Sequence, residues 1–116
     1  MRKYGLIGFP LTHSLSKQYF TDKFLKENLT NCSYDNYPID SIYSFPDLLR
    51  DNPDLCGLNV TIPYKKEILR YVDVKAPCID EIGAVNVLKI KRLEKSVSVY
   101  GFNSDVDGIR YSVLPF

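Results

Sequence analysis

The sequence predicts an α/β domain of three layers, in which helices flank a mostly parallel, mixed sheet. Short apolar runs alternate with segments of helical periodicity over most of the chain. The run at 55–61 is apolar without alternation, which is typical of a strand covered on both faces. Near the end, two runs rich in Val, Leu and Ile are joined by charged residues, which predicts an antiparallel hairpin.

The chain opens on a predicted strand, helix and second strand. Residues 4–8 form a short apolar run that Phe-Pro closes, so we expect a strand followed by a loop. Ser16 is then a candidate N-cap for a helix in which Phe20 and Phe24 share one face. Residues 34–39 predict the second strand.

The middle of the chain predicts a short helix, the third strand and a further helical piece. Residues 44–50 predict a helix in which Ser44 and Asp47 resemble a capping box. The apolar run at 55–61 follows as a strand, and 64–71 has helical character. Irregular chain is expected after that, through position 77.

The last part predicts the hairpin and the start of another helix. Its strands are expected at 84–90 and 96–100, and the basic run at 89–95 is predicted to be a solvated loop. Ser104 is a candidate cap for a final helix, with Asp107 three residues on.

Composition excludes several classes of protein. The chain has 116 residues, which suggests one domain, and 45% of them are hydrophobic, enough for a core. A net charge of +1, without a dense basic stripe, argues against a nucleic-acid partner. No apolar run approaches the roughly 20 residues that span a bilayer, and no signal peptide is recognised.

Cysteine and histidine usage argues against a metal site and for a reducing compartment. The three cysteines are odd in number and lack CxxC spacing, so neither a zinc site nor a disulfide framework is expected. One histidine, His13, cannot build a His-rich site. We therefore expect no metal and a cytoplasmic protein. No pattern in the chain predicts an oligomeric state.

Polar residues gather at predicted strand ends, where open α/β sheets bind their ligands. Convergence of these clusters on one cleft is the main functional hypothesis from the residues themselves. The clusters are Ser14 with Ser16, Asn59 to Lys65, Asn86, and Asn103 to Asp105.

Each cluster has an ordinary and a functional interpretation. Ser14 and Ser16 at a helix start suit an anion, but Ser16 is equally explained as a cap. Asn59 and Thr61 suit a polyhydroxylated ligand, or they cap the end of a strand. An amide such as Asn86 within an apolar run needs partners, either backbone or ligand.

Lys65 and Asp105 are the candidates for proton transfer. A lysine held in a cleft can act as acid or base, although most lysines are surface charges. Asp105 could orient that lysine, or it could simply complement a helix dipole.

Taken together, four stretches resemble the substrate-binding domain of the shikimate dehydrogenase family. They are GFPLTHSLS at 8–16, NVTIPYK at 59–65, GAVN at 83–86 and GFNSDVDG at 101–108, in the family's order and spacing. They cover nearly the whole chain, and four strings in register outweigh the ordinary interpretation of each one.

The resemblance implies a role for each matched residue. Ser14 and Ser16 would bind the substrate carboxylate, and Lys65 and Asp105 would form the catalytic pair. The residues implied to contact the ring hydroxyls are Thr61, Asn86, Lys65 and Asp105, with Asn59 close by. The family reversibly reduces 3-dehydroshikimate to shikimate with NADPH, a step towards chorismate and the aromatic amino acids.

Three positions depart from the family pattern. Lys17 stands where proline is frequent after SxS, Val87 replaces a threonine, and Ser104 replaces another. Serine keeps a hydroxyl, whereas valine removes one, so any polar contact at position 87 is in doubt.

The resemblance also implies a second domain for the cofactor. Members carry a Rossmann-type domain for NADP, and this sequence has no GxGxxG-like loop. We expect residues 1–103 to be the substrate-binding domain and 104–116 to begin the helix leading to an absent NADP-binding domain. On its own, the chain is expected to bind substrate weakly and to catalyse nothing.

Other functions stay open at this point. A related oxidoreductase of the same architecture could act on quinate or an amino-shikimate. A non-catalytic ligand-binding module would carry the same polar cluster without a cofactor domain, and a purely structural domain would need none of it.

Overall fold

The computed structural model describes residues 1–12 and 15–104. Its elements follow the predicted alternation of strands and helices. In chain order they are β1 (Arg2–Gly8), α1 (Ser16–Lys26), β2 (Cys32–Pro38), a 3₁₀ turn (Ile42–Ser44), α2 (Phe45–Asp51), β3 (Leu55–Val60), a second 3₁₀ helix (Glu67–Tyr71), β4 (Val74–Lys75), α3 (Ile79–Ile82), β5 (Val87–Leu93) and β6 (Ser96–Phe102).

Six strands form one mixed sheet in the order β2-β1-β3-β5-β6-β4. β1 is parallel to both β2 and β3, and β4 is parallel to β6. β5 runs antiparallel to β3 and β6. The predicted α/β class and mostly parallel sheet are confirmed.

Apolar clusters lie on both faces of the sheet and give the molecule its three layers. Successive residues of β1 point to opposite faces, so Leu6 belongs to one cluster and Ile7 to the other. The smaller cluster joins Leu6 to Tyr34 and to the aromatic side of α1. The larger one gathers α2, the second 3₁₀ helix and α3 around Phe45 and Ile68.

The basic run near the hairpin is a strand, so the prediction of a solvated loop at 89–95 is wrong. Leu88 and Ile90 are buried while Lys89 and Lys91 are exposed, which is the alternation of a half-buried strand. Residues 94 and 95 alone form the turn. The charges suggested a loop because they occupy the solvent face of β5.

Two predicted caps are also wrong. Ser16 is the first residue of α1, Leu15 occupies the cap position, and no side chain caps that end. Ser44 has helical backbone angles and makes no capping bond to α2. Instead, the Ser41 hydroxyl accepts from the amide of Tyr43, 3.2 Å away, and caps the preceding 3₁₀ turn.

Further differences concern short elements and one strand face. β4 and α3, of two and four residues, were not predicted. In the described residues β3 is covered fully on one face only, because Cys56 and Asn59 are half-exposed. The helix expected from Ser104 lies almost entirely outside the described residues. No helix of the described part is long and apolar enough to cross a membrane.

Candidate functional site

The loops after β1 and β3 and the segment before β5 meet at one end of the sheet, where β1, β3 and β6 finish and β5 begins. The amide of Val60, the last residue of β3, donates to the carbonyl of Asn86 over 2.8 Å. The amide of Asn86 in turn donates to the carbonyl of Phe102, the last residue of β6, over 3.0 Å. Because β5 starts where β3 and β6 end, three of the predicted clusters are brought together by backbone bonds.

Thr61 is held against the end of β1. Its amide donates to the carbonyl of Ile7 over 2.9 Å, and the amide of Phe9 donates to Ile62 over 3.1 Å. A Cβ on Gly8 would lie 2.5 Å from the methyl carbon of Thr61, so only glycine allows this approach. Ser16 and Thr61 line a common depression of about 530 Å³ whose other walls are mostly apolar.

Lys65 projects from a turn that is anchored on two sides. Its carbonyl accepts from the amide of Val85 over 2.8 Å, which ties it to the segment carrying Asn86. The preceding Tyr64 is buried, and its hydroxyl donates to the carbonyl of Ile39. The Lys65 side chain is exposed, and within residues 1–12 and 15–104 it forms no ion pair.

Asn86 holds Ser104 with both ends of its amide. The Asn86 Nδ2 donates to the Ser104 hydroxyl over 2.9 Å, and the Ser104 backbone N–H donates to Asn86 Oδ1 over 2.8 Å. Each amide atom keeps capacity for a second bond, so a ligand contact is compatible with this clamp. The serine that departs from the family pattern therefore uses the hydroxyl that it retains.

Tyr34 contacts the predicted site residue Asn59, and sequence reasoning gave it no role. The Asn59 Nδ2 donates to the Tyr34 hydroxyl over 2.7 Å. Burial raises the pKa of Tyr34 above its ordinary value, although the neighbouring side chains of Asn59 and Ser16 act in the opposite direction. The signal that could have found Tyr34 is the pairing of β1 with β2 and β3, which places it on the face of Asn59.

Asn59 and Tyr34 line a second depression, of about 650 Å³, on the α1 face of the sheet. Asn59 therefore does not line the depression shared by Ser16 and Thr61.

Two residues that depart from the family pattern, Lys17 and Val87, have contacts that the structure describes. Lys17 forms an ion pair with Asp35 of β2, with 3.2 Å between Nζ and Oδ1. Both groups are half-exposed, so this pair adds little stability. Val87 lies in β5 between Asn59 and Phe102, where a half-buried valine suits a strand.

Two predicted site residues, Ser14 and Asp105, and His13 lie outside the described residues. Among the described residues, Ser16 and Thr61 line one depression and Asn59 lines another. Backbone bonds tie the segments of Lys65 and Asn86 to each other and to the end of β3. The pairing of Lys65 with Asp105 stays a prediction.

A family model for the shikimate dehydrogenase substrate binding domain matches residues 6–88. The chain is 37% identical over 114 residues to the shikimate dehydrogenase (NADP(+)) of Ignicoccus hospitalis, and the match covers 95% of this chain. It spans only 40% of that relative's length.

Solved structures show the same similarity. The crystal structure of shikimate dehydrogenase 1 from Peptoclostridium difficile superposes with a TM-score of 0.77 at 34% identity, covering 95% of this chain and 40% of that one. Shikimate 5-dehydrogenase from Thermus thermophilus, solved with NADP(H) and shikimate, gives a TM-score of 0.76 at 26% identity. That match covers 99% of this chain and 44% of the other.

Proposed function

Because the chain belongs to the family of shikimate dehydrogenase substrate-binding domains, we propose that it is the substrate-binding half of an NADP-dependent shikimate dehydrogenase. The complete protein would reversibly reduce 3-dehydroshikimate to shikimate with NADPH, within the biosynthesis of chorismate and aromatic amino acids. One observation carries this proposal: backbone bonds from Val60 to Asn86 and from Asn86 to Phe102 bring three of the polar clusters to one end of the sheet.

The chemistry of these residues suits a polyhydroxylated carboxylate. Hydroxyl and amide groups donate to a carboxylate and exchange hydrogen bonds with ring hydroxyls. We assign carboxylate binding to Ser14 and Ser16, and contacts with the ring hydroxyls to Thr61 and Asn86, with Asn59 in support. The apolar walls around Ser16 and Thr61 would favour these polar contacts by lowering the local dielectric.

Lys65 is proposed as the acid/base residue, with Asp105 as its paired carboxylate. An ammonium at the reacting oxygen stabilises the negative charge that develops there, and it can supply or accept the proton. Support comes from the anchored turn, because the bond from Val85 fixes the Lys65 backbone beside the Asn86 segment.

The described residues do not fit a dinucleotide, since the sequence has no glycine-rich loop between a strand and a helix. We therefore place the NADP site outside these 116 residues. In this proposal residues 1–103 are the substrate-binding domain, and 104–116 begin the helix that connects it to the cofactor domain.

A cytoplasmic location is part of the proposal. The described residues contain no disulfide, as expected in a reducing compartment. The small-molecule substrate is the only partner that we assign.

Calorimetric titration of the 116-residue chain tests the proposal. We expect saturable binding of shikimate and no measurable binding of cyclohexanecarboxylate, which lacks the ring hydroxyls. The chain alone should not oxidise NADPH. Equal affinity for shikimate and cyclohexanecarboxylate would contradict the proposal, because hydroxyl recognition would then be absent.

A further inference from the structure

The backbone that carries Asn86 is held by hydrogen bonds from several other segments. The carbonyl of Ala84 accepts from the side-chain amide of Asn103 over 3.3 Å, and the amide of Val85 donates to the carbonyl of Lys65 over 2.8 Å. The backbone of Asn86 is itself bonded on both sides, to the ends of β3 and β6. Because this backbone is fixed, only rotation of its own side chain leaves the Asn86 amide free to turn.

Ser104 restrains that remaining rotation with two bonds. The Ser104 backbone N–H donates to Asn86 Oδ1 over 2.8 Å, and Asn86 Nδ2 donates to the Ser104 hydroxyl over 2.9 Å. A backbone N–H can only donate, so the carbonyl oxygen of the side-chain amide must face it and the nitrogen must face the hydroxyl. One residue thus determines which way the amide points.

The two bonds also determine which atoms of the amide stay available. Since both go to the same residue, they use the Nδ2 proton that lies cis to Oδ1 and the oxygen lone pair beside it. The trans proton and the second lone pair remain, on opposite flanks of the amide. Asn86 is half-buried and Ser104 is exposed, so a ligand can reach these atoms.

We infer that Ser104 is a positioning residue, which holds the Asn86 amide in one orientation for a ring hydroxyl of the ligand. The inference rests on the function proposed above, in which Asn86 contacts the ring hydroxyls. An amide that is oriented before the ligand arrives loses less rotational freedom on binding, so the same contact gives more affinity.

Ser104→Ala tests the inference, because it removes the hydroxyl and keeps the backbone N–H. The Asn86 amide then retains one of its two bonds. In the 116-residue chain, we expect the Kd for shikimate to rise about fivefold, as for loss of one ordinary hydrogen bond. Ser104→Thr keeps a hydroxyl and should restore the Kd to within about twofold of the wild-type value. Titration followed by ¹H–¹⁵N NMR measures both values and shows that each variant is folded.

A double-mutant cycle shows whether the effect passes through Asn86. Asn86→Ala should raise the Kd more than Ser104→Ala does, because it removes the ligand contact itself. Adding Ser104→Ala to Asn86→Ala should then change the Kd no further, since there is no amide left to orient. A role exercised through another group, such as the neighbouring Asp105, would persist in that background.

Ser41→Ala is the matched control, because it also removes a serine hydroxyl that holds a local bond. The Ser41 hydroxyl accepts from the amide of Tyr43 and lines a different depression, together with Lys66 and Arg70. This variant should leave the Kd for shikimate at its wild-type value.

A second measurement needs no variant. In the wild-type chain, shikimate should shift the Asn86 Nδ2 proton that is trans to Oδ1 more than the cis proton, which stays bonded to Ser104.

A wild-type Kd in a folded Ser104→Ala chain, a loss of equal size without Asn86, or a larger shift of the cis proton would overturn the inference and leave the proposed function standing. A wild-type chain that does not bind shikimate would overturn both.

Discussion

Lys65 and Lys66 are adjacent, exposed and chemically identical, yet their backbones are tied to different parts of the molecule. The Lys65 carbonyl accepts from Val85, in the segment that leads to the candidate site. The Lys66 carbonyl accepts from Leu69, within the 3₁₀ helix. The side chain of Lys66 lines a different depression, together with Glu67 and Arg70. Of the two lysines, only Lys65 is therefore tied by a backbone bond to the end of the sheet where the polar clusters meet.

The pair offers a matched test of the acid/base assignment in the complete enzyme. Lys65→Ala should lower kcat by about 10²–10⁴-fold, the usual range for loss of an acid/base group. Lys66→Ala should leave kcat near the wild-type value, because Lys66 lies on a different surface, beside Glu67 and Arg70. Steady-state kinetics with shikimate and NADP measure both. Similar kcat values for the two variants would show that Lys65 has no special role.

At the scale of elements, one side chain of the hairpin fixes the end of a helix on another layer. The Arg92 Nη2 on β5 donates to the carbonyl of Leu49 over 3.1 Å and to that of Asn52 over 2.9 Å. These carbonyls belong to the last turn of α2 and its cap, which have no helical partners of their own. The Nε of Arg92 is buried without a hydrogen-bond partner, which offsets part of the gain.

Arg92→Met should therefore lower the free energy of unfolding by about 1 kcal/mol, since the Leu49 carbonyl loses its donor and the Asn52 carbonyl is left with the amide of Leu55. Arg50→Met is the control, because Arg50 forms only exposed ion pairs with Asp47 and Asp51. Its expected effect is below about 0.5 kcal/mol. Urea denaturation followed by circular dichroism compares the two. Equal losses would contradict the role given to Arg92.

Elements were predictable where their periodicity was strong. The apolar runs of β1 and β3 and the spacing of Phe20 and Phe24 in α1 were enough to place those elements. β5 was cut short in the prediction because Lys89 and Lys91 suggested a loop, although they only occupy its solvent face. The two-residue β4 had no local signal, since it forms by pairing with Tyr100 and Gly101 of β6.

Some residues of the candidate site could likewise be predicted from the sequence, and others could not. Polar residues at strand ends were recognisable from the sequence, because they follow directly on the apolar runs that predict the strands. Tyr34 was not, since nothing in YDNY distinguishes a phenol that binds Asn59 from a core aromatic until the register of the strands is known. The clamp between Asn86 and Ser104 likewise depends on the meeting of β5 and β6.

At the scale of the whole molecule, buried tyrosine hydroxyls make the fold sensitive to alkaline pH. Burial raises the pKa of Tyr34 above its ordinary value of 10.0, and burial also raises the pKa of Tyr37 and Tyr64. A raised pKa in the folded state means that folding favours the neutral phenol. The corresponding stability is fully present below about pH 10 and is lost as the pH rises through the folded-state values.

Thermal unfolding between about pH 8 and pH 11 measures this effect, with the range set by the ordinary tyrosine pKa of about 10. We expect a nearly constant Tm up to about pH 10 and a fall beyond it. Tyr34→Phe should make that fall shallower, because one titrating hydroxyl is removed. A Tm that rises above about pH 10, or an identical fall in Tyr34→Phe, would contradict this expectation.

The fold matters for function because it gathers polar side chains at one end of the mixed sheet. The most direct test of this account is a ¹H–¹⁵N NMR map of the chain during titration with shikimate. We predict that the largest shifts fall on Ser16, Thr61, Lys65 and the side-chain amides of Asn59 and Asn86. Shifts confined to the opposite end of the strands, around Arg2 and Cys56, with these five residues unmoved, would contradict it.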